Sequence, residues 1–195
     1  MVETKAIKAM REQAFTNKQR DFIIGSLLGD AYLMESSAGF ALRFHHGNLQ
    51  ESYIKWKYEI MKDFVRTPPK NNGKWYFRTI SHPELSTLRK EFYIEGIKKP
   101  PIKLLMKELT NFGLAVWFMD DGSRDGKQAR INTQSFTKDE NVLLQEFLSA
   151  KFGLRTTLNR DKDYYRLRIA AASMDNFTSL IKPYIIPSML YKLSP

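Results

Sequence analysis

The stretch LAVWFMDDG, residues 114–122, is an apolar run that ends on two adjacent carboxylates, Asp120 and Asp121. Apolar side chains on all sides of a helix indicate that the helix is buried. An aspartate at a helix C-terminus meets the negative end of the helix dipole, which costs roughly 0.3–1 kcal/mol. We therefore expect another group, such as a cation, to compensate these acids.

A stretch of the same design lies near the start of the chain. IIGSLLGDA, residues 23–31, is again apolar and again ends on a small residue and an aspartate, Asp30. Both runs come after a threonine that suits a helix N-cap: Thr16, with Gln19 at the capping-box spacing, and Thr110. The two aspartates Asp30 and Asp121 are separated by close to half of the chain, so the sequence predicts an internal repeat.

The segments after the two apolar helices repeat as well. Apolar and polar residues alternate over 40–47 and over 129–136, which predicts half-buried strands. In the first half, an amphipathic helix (49–64), a hairpin that turns at Asn72-Gly73 and a closing helix (82–93) come next. The second half has the same order: a helix (137–153), a hairpin that turns at 161–163 and a closing helix (173–184). With a further strand directly after each acidic helix, the sequence predicts an α+β fold of two pseudo-symmetric αββαββα-like halves.

These repeats set the expected domain organisation. We expect an N-terminal extension over 1–15, a first half over 16–100, a linker over 101–109 and a second half over 110–195.

Composition narrows the class of partner. The chain has 31 lysines and arginines against 21 acids, for a net charge of +10. Such an excess favours a polyanion, most commonly nucleic acid, although a basic surface that only aids solubility is the alternative. The basic residues are spread along the chain rather than gathered on one amphipathic helix, which argues against a membrane surface. The start has no signal-peptide pattern, so we expect an intracellular protein of a bacterial cytoplasm or an organelle, not a secreted one.

The residue types favour a hard metal. There is no cysteine and there are three histidines, which leaves oxygen ligands for a divalent cation such as Mg²⁺. Gly25 and Gly29 permit close approach of a second helix, and packing the two apolar helices side by side would bring Asp30 and Asp121 together. Paired carboxylates repel unless a cation lies between them. A metal held in this way beside a basic groove suits phosphodiester hydrolysis.

Two features of the helix ends stay open on sequence alone. The second helix carries Val116 and Asp120 where the first has Gly25 and Gly29, so the symmetry of the helix contact is an open question. Asp120 is either a helper ligand or a hydrogen-bonded spacer. The plain alternative for the two aspartates is that they are helix-end acids that bond nearby backbone.

The two motifs resemble the paired motifs of a LAGLIDADG homing endonuclease of the monomeric type found in yeast mitochondrial introns. The resemblance covers residues 20–195 and includes IKPYIIPSMLYKL near the end of the chain. It implies two packed LAGLIDADG helices that join the halves, and antiparallel sheets that form a DNA-binding saddle. It also implies a monomer that cuts both strands of double-stranded DNA at a specific site.

The resemblance also implies roles for particular residues. Asp30 and Asp121 would bind Mg²⁺, with Mn²⁺ or Ca²⁺ able to substitute for binding. The backbone of Gly29 and the backbone or side chain of Asp120 would supply further ligands. A basic residue in each half would assist cleavage. By placement these are Lys98 and Lys192, with Lys99 and Lys103 as near alternatives.

Polar and cationic side chains on the predicted strands and turns are the candidate DNA contacts. Arginine suits guanine, and asparagine or glutamine suits adenine, in the major groove. The candidates are Arg43, His45, Lys70, Asn72, Lys74, Tyr76, Arg78, Arg124, Lys127, Arg130, Asn132, Gln134, Arg155, Asn159, Arg160, Lys162, Arg166 and Arg168. Solvated edge strands are the plain alternative for each one. Because the two sets differ, we expect a long asymmetric target.

Three alternatives concern single residues or the whole function. His45 and His46 suggest a general base or ligand, but we favour DNA-contacting or partly buried histidines. The alternative functions are an intron RNA maturase and a catalytically silent DNA-binding protein, both on the same fold.

Overall fold

Helices and strands occur in the same order twice along the chain. The structure, a computed structural model, describes residues 4–194. The first series is α1 (Lys5–Glu12), α2 (Asn17–Leu28), β1 (Tyr32–Ser36), β2 (Gly39–His46), α3 (Glu51–Met61), β3 (Lys70–Asn71), β4 (Trp75–Arg78) and α4 (Pro83–Phe92). From α2 onward this order is αββαββα, which confirms the predicted first repeat and its extra strand.

A short connecting region leads to the second series. It contains β5 (Tyr93–Ile94), β6 (Ile97–Lys98) and α5 (Ile102–Glu108), so the predicted linker 101–109 is largely helical. The second series is α6 (Asn111–Asp121), β7 (Gly122–Asp125), β8 (Gln128–Ile131), α7 (Lys138–Phe152), β9 (Thr156–Asp161), β10 (Tyr164–Ile169) and α8 (Met174–Ile181). A 3-10 segment, Pro187–Leu193, comes after α8. The order αββαββα is again the predicted one.

The described chain divides into two compact units. The first contains residues up to 20 together with 30–91, and the second contains 21–29 together with the residues from 92 onward. Each unit holds one four-stranded antiparallel sheet, with strand order β1-β2-β4-β3 in the first and β7-β8-β10-β9 in the second. The identical order confirms the repeat at the level of topology. The expected boundaries at 16–100 and 110–195 stay a prediction.

In the first unit, α3 covers one face of the sheet. Tyr53 and Ile54 of α3 are buried, as are Leu42, Phe44 and Phe77 of the strands. The capping box at the start of α2 is present, because Gln19 N donates to Thr16 Oγ1 at 3.2 Å and Thr16 N donates to Gln19 Oε1 at 3.0 Å.

In the second unit, α6 lies at the centre of the core. All of its residues from Phe112 to Asp120 are buried, which agrees with an apolar helix without a polar face. Thr110 caps it by accepting from Phe112 N at 3.1 Å. Thr137 and Glu140 form a capping box on α7, and Gly153 ends that helix with a left-handed φ of 65°.

Residues 21–29, which contain most of α2 and the glycine that follows it, pack on α6 within the second unit, and both helices run in the same direction. A Cβ added at Gly25 would collide with the backbone carbonyl of Gly113, and one at Gly29 would collide with the side chain of Asp120. The expected close approach is therefore confirmed. Where Gly25 meets Gly113, both helices contribute a glycine, whereas Gly29 meets the side chain of Asp120.

A buried carboxylate ties the starts of these helices together. Asp21, 5% exposed, accepts from Thr110 N at 2.9 Å, from Gly113 N at 3.0 Å and from the Thr110 hydroxyl. Burial raises the pKa of Asp21, although these hydrogen bonds and the charge of Lys151 act in the opposite direction. Asp21 thus caps α6 from a neighbouring helix, a role that the sequence patterns did not predict.

The predicted strand over 129–136 is wrong in its second half. Strand β8 ends at Ile131 because the buried Thr133 turns the chain: its hydroxyl donates to Asn141 Oδ1 at 2.5 Å and accepts from Leu167 N at 3.2 Å. Asn132 and Gln134 therefore lie beyond the strand, not on its face. Within residues 4–194, none of the helices reaches the length and apolar character that a membrane span requires.

Candidate active site and nucleic-acid interface

Two lysines bind the last carbonyls of the paired helices in the second unit. Lys98 Nζ, from β6, donates to the carbonyl oxygen of Gly29 at 3.1 Å. Lys192 Nζ, from the 3-10 segment near the chain end, donates to the carbonyls of Met119 at 2.6 Å and Asp120 at 2.9 Å. Each ammonium thus offsets the negative end of one helix dipole, directly before a predicted catalytic aspartate.

The near alternatives to Lys98 lie differently. Lys99 Nζ is 3.7 Å from Glu140 Oε1, and the side chain of Lys103 is exposed on α5. Of these three lysines, Lys98 is the one whose ammonium binds a helix-end carbonyl in the described structure.

Asp121 is the last residue of α6 and is half-buried. Its carbonyl oxygen accepts from Asn132 N at 3.0 Å, which joins the helix end to the segment after β8. Asp120 is 9% exposed, and its side chain lies against the backbone of Gly29. Asp120 therefore fills the space between the helix ends.

Asp30 belongs to the first unit and lies beside a buried histidine. Its side chain is 43% exposed, and Asp30 Oδ2 is 3.8 Å from Nδ1 of His46, whose side chain is 1% exposed. His46 Nδ1 is also 3.2 Å from Gln50 Oε1, and its ring packs on Tyr53 at 4.9 Å. His46 is thus buried, as one of the two favoured interpretations expected, and it is a neighbour of the candidate metal ligand.

The first sheet has a continuous cationic and aromatic face. Residues paired across antiparallel strands share a face. The register pairs Arg43 with Arg78, His45 with Tyr76, and Tyr76 with Lys70. Of the other candidates in this unit, Asn72 and Lys74 lie in the exposed β3–β4 turn. No ion pair joins any of these four cations to an acid among residues 4–194.

The positive charge of this face acts on His45. Partial burial, together with the charges of Arg43 and Lys74, holds the pKa of His45 below its usual 6.5. His45 is therefore neutral at neutral pH and accepts a hydrogen bond at Nε2 from Arg43 Nε at 3.2 Å.

The second sheet presents arginines too, but they are paired with acids. Arg130 lies opposite Arg168, and both contact Asp125 Oδ2, at 2.6 and 3.2 Å. Arg166 pairs with Asp161 on the same face. The hydrogen bond and charge of Arg130 lower the pKa of Asp125. Neither acid was a sequence-based candidate. For Asp125, the sequence feature that could have indicated the contact is the hairpin register, which places Asp125 opposite Gln128.

Of the remaining candidates of the second half, Asn159 shares this face because it pairs with Arg166, and the others do not. Arg124 pairs with the buried Ala129, and Arg160 pairs with Tyr165 on the face of Leu167. The rest lie before β9 (Arg155), in turns (Lys127 and Lys162) or beyond β8 (Asn132 and Gln134). Gln134 Nε2 donates to Asp161 Oδ2 at 2.7 Å.

Comparison with known families agrees with this arrangement. Residues 20–177 match the model of the LAGLIDADG DNA endonuclease family. The chain belongs to this family. The resemblance stated from the two motifs is therefore confirmed, and the member described here is a DNA endonuclease. The matched residues contain most of α2, all of α6 and both sheets, and they exclude α1 and residues 178–195.

Relatives cover nearly the whole chain. The DNA endonuclease I-ChuI of Chlamydomonas applanata is 29% identical over 93% of this chain and 96% of its own. The cytochrome b mRNA maturase bI2 of Debaryomyces hansenii is 30% identical over 89% of this chain and 72% of its own. Family membership thus supports the endonuclease function, and a maturase also belongs among the relatives.

Solved structures share the fold. The homing endonuclease I-WcaI, solved bound to its DNA recognition sequence, superposes with a TM-score of 0.90 at 29% identity, over 99% of this chain and 94% of that one. I-DmoI, solved in complex with DNA and Mn, has a TM-score of 0.54 at 16% identity, over 87% of this chain and 99% of that one. These matches confirm the predicted α+β fold class.

Proposed function

We propose that this family member is a monomeric, metal-dependent homing endonuclease that cuts double-stranded DNA at a specific site. Asp30 and Asp121 hold the divalent metal, and Lys98 and Lys192 assist at the two scissile phosphates. The observation that carries the proposal is the matched pair of lysines, each bound to the carbonyl that precedes one of these aspartates.

The available donors fit a hard cation. Asp30 and Asp121 offer carboxylate oxygens, which Mg²⁺ prefers and which Mn²⁺ and Ca²⁺ also accept. The carbonyls of Gly29 and Asp120 already accept from the lysines, although a carbonyl oxygen keeps a second lone pair. We therefore assign the metal to the carboxylates first. When bound, the metal activates water and neutralises charge on the phosphate. I-DmoI, which shares the fold, was solved with DNA and Mn.

The lysines act as fixed positive charges. Their hydrogen bonds to the helix-end carbonyls hold each ammonium at a defined place beside an aspartate. A pre-positioned cation stabilises the extra negative charge that the phosphate develops in the transition state. The two lysines come from different elements, β6 and the final 3-10 segment, yet both reach a helix end.

The two sheets recognise the target. In the first, Arg43, His45, Lys70, Tyr76 and Arg78 share one face, and in the second Arg130, Asn159, Arg166 and Arg168 do so. Arginine and asparagine side chains read base edges in the major groove, where a β-ribbon fits. Because the sets differ, the target is asymmetric. I-WcaI was solved bound to its own recognition sequence. Since the substrate is DNA, we place the activity inside the cell.

Cleavage by two carboxylate variants tests the assignment. The target is first selected from a randomised duplex library in Mg²⁺ by sequencing the cut ends. Asp30→Asn and Asp121→Asn should each lower single-turnover cleavage by about 10³-fold, the effect of removing roughly 4 kcal/mol of metal-dependent stabilisation. Duplex binding should persist in both. Asp63→Asn, an exposed aspartate of the first unit, is the matched control and should cut normally. If Asp30→Asn and Asp121→Asn both still cut, the assignment is wrong.

A maturase role is the second candidate, and the 30%-identical maturase of Debaryomyces hansenii favours it. The test is binding to the structured RNA of the intron that encodes the protein, measured beside the DNA duplex. Tight RNA binding that survives in Asp30→Asn would add splicing assistance to the endonuclease. Weak, salt-sensitive RNA binding would exclude it.

A further inference from the structure

A cationic cavity of about 580 Å³ lies within the first unit. Helix α1, the 66–70 segment and strands β2 and β4 all contribute to its wall. Five cationic side chains line it: Arg11, Arg43, Arg66, Lys70 and Arg78. The wall, as far as residues 4–194 define it, contains no acid.

Four of the cations in this cavity, which we call the α1 cavity, form no ion pair in the described part of the chain: Arg43, Arg66, Lys70 and Arg78. Arg43 lies directly opposite Arg78 across the strands, an arrangement in which like charges repel. Arg66, Lys70 and Arg78 are exposed. The hydroxyls of Ser36 and Ser81, 2.7 Å apart, add polar groups to the wall. Such a wall is complementary to an anion.

Helix α1 lies outside the residues that match the family model. The family match begins at residue 20, after this helix. No residue of α1 from Lys5 to Glu12 is buried, and an isolated helix of this length is marginal in water. Its link to the sheet includes Arg11, whose Nη2 donates to the carbonyl of Ala38 at 3.2 Å. This hydrogen bond holds a cationic side chain at the cavity wall.

We propose that α1 and the 66–70 segment turn the α1 cavity into a clamp for the phosphodiester backbone of duplex DNA. The inference rests on the proposed function, because it takes DNA as the ligand. The cavity shares Arg43, Lys70, Tyr76 and Arg78 with the sheet face assigned to target recognition. A backbone that runs along that face therefore meets Arg11 and Arg66 as additional phosphate contacts, which add affinity without reading sequence.

The salt dependence of binding tests the clamp. Binding of random-sequence duplex DNA is measured without divalent metal, so the result does not depend on the catalytic carboxylates. A plot of log K against log salt has a negative slope, and removing one phosphate-binding cation makes that slope less steep by about 0.9. Arg11→Ala and Arg66→Ala should each show this decrease, and the double variant should show about twice the decrease. Between about 50 and about 200 mM salt, a single variant should lose about 3.5-fold less affinity than the wild type.

The controls separate a clamp from general attraction. Lys8→Ala removes a cation from the same helix that lies outside the cavity, where it pairs with Glu12 at 3.9 Å. Lys8→Ala should leave the slope unchanged. Arg11→Lys should keep most of the steepness that Arg11→Ala loses. Equal slopes for Arg11→Ala and Lys8→Ala, no change in either cavity variant, or a change with structured RNA but not duplex DNA would overturn the clamp. Failure of the proposed function would instead appear as cleavage by the aspartate variants.

Discussion

The two four-stranded sheets share a strand order and differ in how their cations are balanced. In the first, Arg43, Lys70 and Arg78 form no ion pair with an acid in the described chain. In the second, Arg130 and Arg168 share Asp125, and Arg166 holds Asp161. Under the proposed function, the cations of the first sheet bind phosphates directly, whereas DNA displaces carboxylates from the arginines of the second sheet.

This difference separates two contributions to recognition. Partly exposed ion pairs add little stability, about 0–1 kcal/mol, but they fix the direction of a guanidinium. The second sheet therefore holds its arginines in place and gives up some attraction. Under the proposed function, the unpaired cations of the first sheet supply more of the counterion release that dominates affinity for DNA. In this repeated fold, one half therefore orients its arginines, and the other half provides more of the attraction for phosphates.

After the aspartate variants, the largest effect should come from the lysines that both halves place at a helix end. Lys98→Met and Lys192→Met should each lower single-turnover cleavage by about 10²-fold, because each removes a fixed cation near one reacting phosphate. Rates for the two DNA strands, measured separately on labelled duplex, show whether the halves act alike. Lys99→Met is the control and should keep most of the activity. A decrease in Lys99→Met that matches Lys98→Met would contradict the assignment.

The next largest effect should come from a change at the contact between α2 and α6. Gly25→Ala should lower the free energy of unfolding by about 1–3 kcal/mol, because its Cβ collides with the backbone of Gly113. Gly47→Ala is the matched control, since Gly47 has open space around it and an ordinary φ of −64°. Urea unfolding monitored by circular dichroism measures both. Equal stabilities for the two variants would show that the helices do not depend on close approach.

Removing one acid should make the second sheet resemble the first. Asp125→Asn releases Arg130 and Arg168, so the slope of log K against log salt should steepen by up to about 0.9 for each new phosphate contact. Discrimination between the selected target and random duplex should fall, because the arginines lose their fixed direction. Asp163→Asn, an exposed residue of the β9–β10 turn, is the control. An unchanged slope and unchanged discrimination in Asp125→Asn would remove the proposed difference between the sheets.

The smallest effect should be a pH dependence confined to the first sheet. The pKa of His45 is lowered, so the free energy of unfolding should decline as pH falls below 6.5, where the unfolded chain binds the proton first. Phosphates favour the protonated form, so duplex affinity should rise over the same range. His45→Gln should flatten both changes, as measured by unfolding and binding from about pH 5 to 8. If His45→Gln keeps the wild-type pH profile, another group titrates.

Much of this architecture could be predicted from local sequence patterns. Caps, apolar runs and hairpin turns depend on neighbouring residues, and they predicted both αββαββα series. The end of β8 could not be predicted because it depends on Thr133 reaching Asn141 and Leu167. The pairing of Asp125 with two arginines depends on the register of the strands. The approach of His46 to Asp30 depends on how the chain folds back after β1. These features come from tertiary contacts.

The most direct measurement of the central claim is a titration of DNA-bound protein with Mn²⁺, with free ion detected by electron paramagnetic resonance. The wild type should take up Mn²⁺, and a variant with both Asp30→Asn and Asp121→Asn should lose that uptake while still holding the duplex. Equal Mn²⁺ uptake by both proteins would show that the aspartates at the two motif ends do not bind the metal.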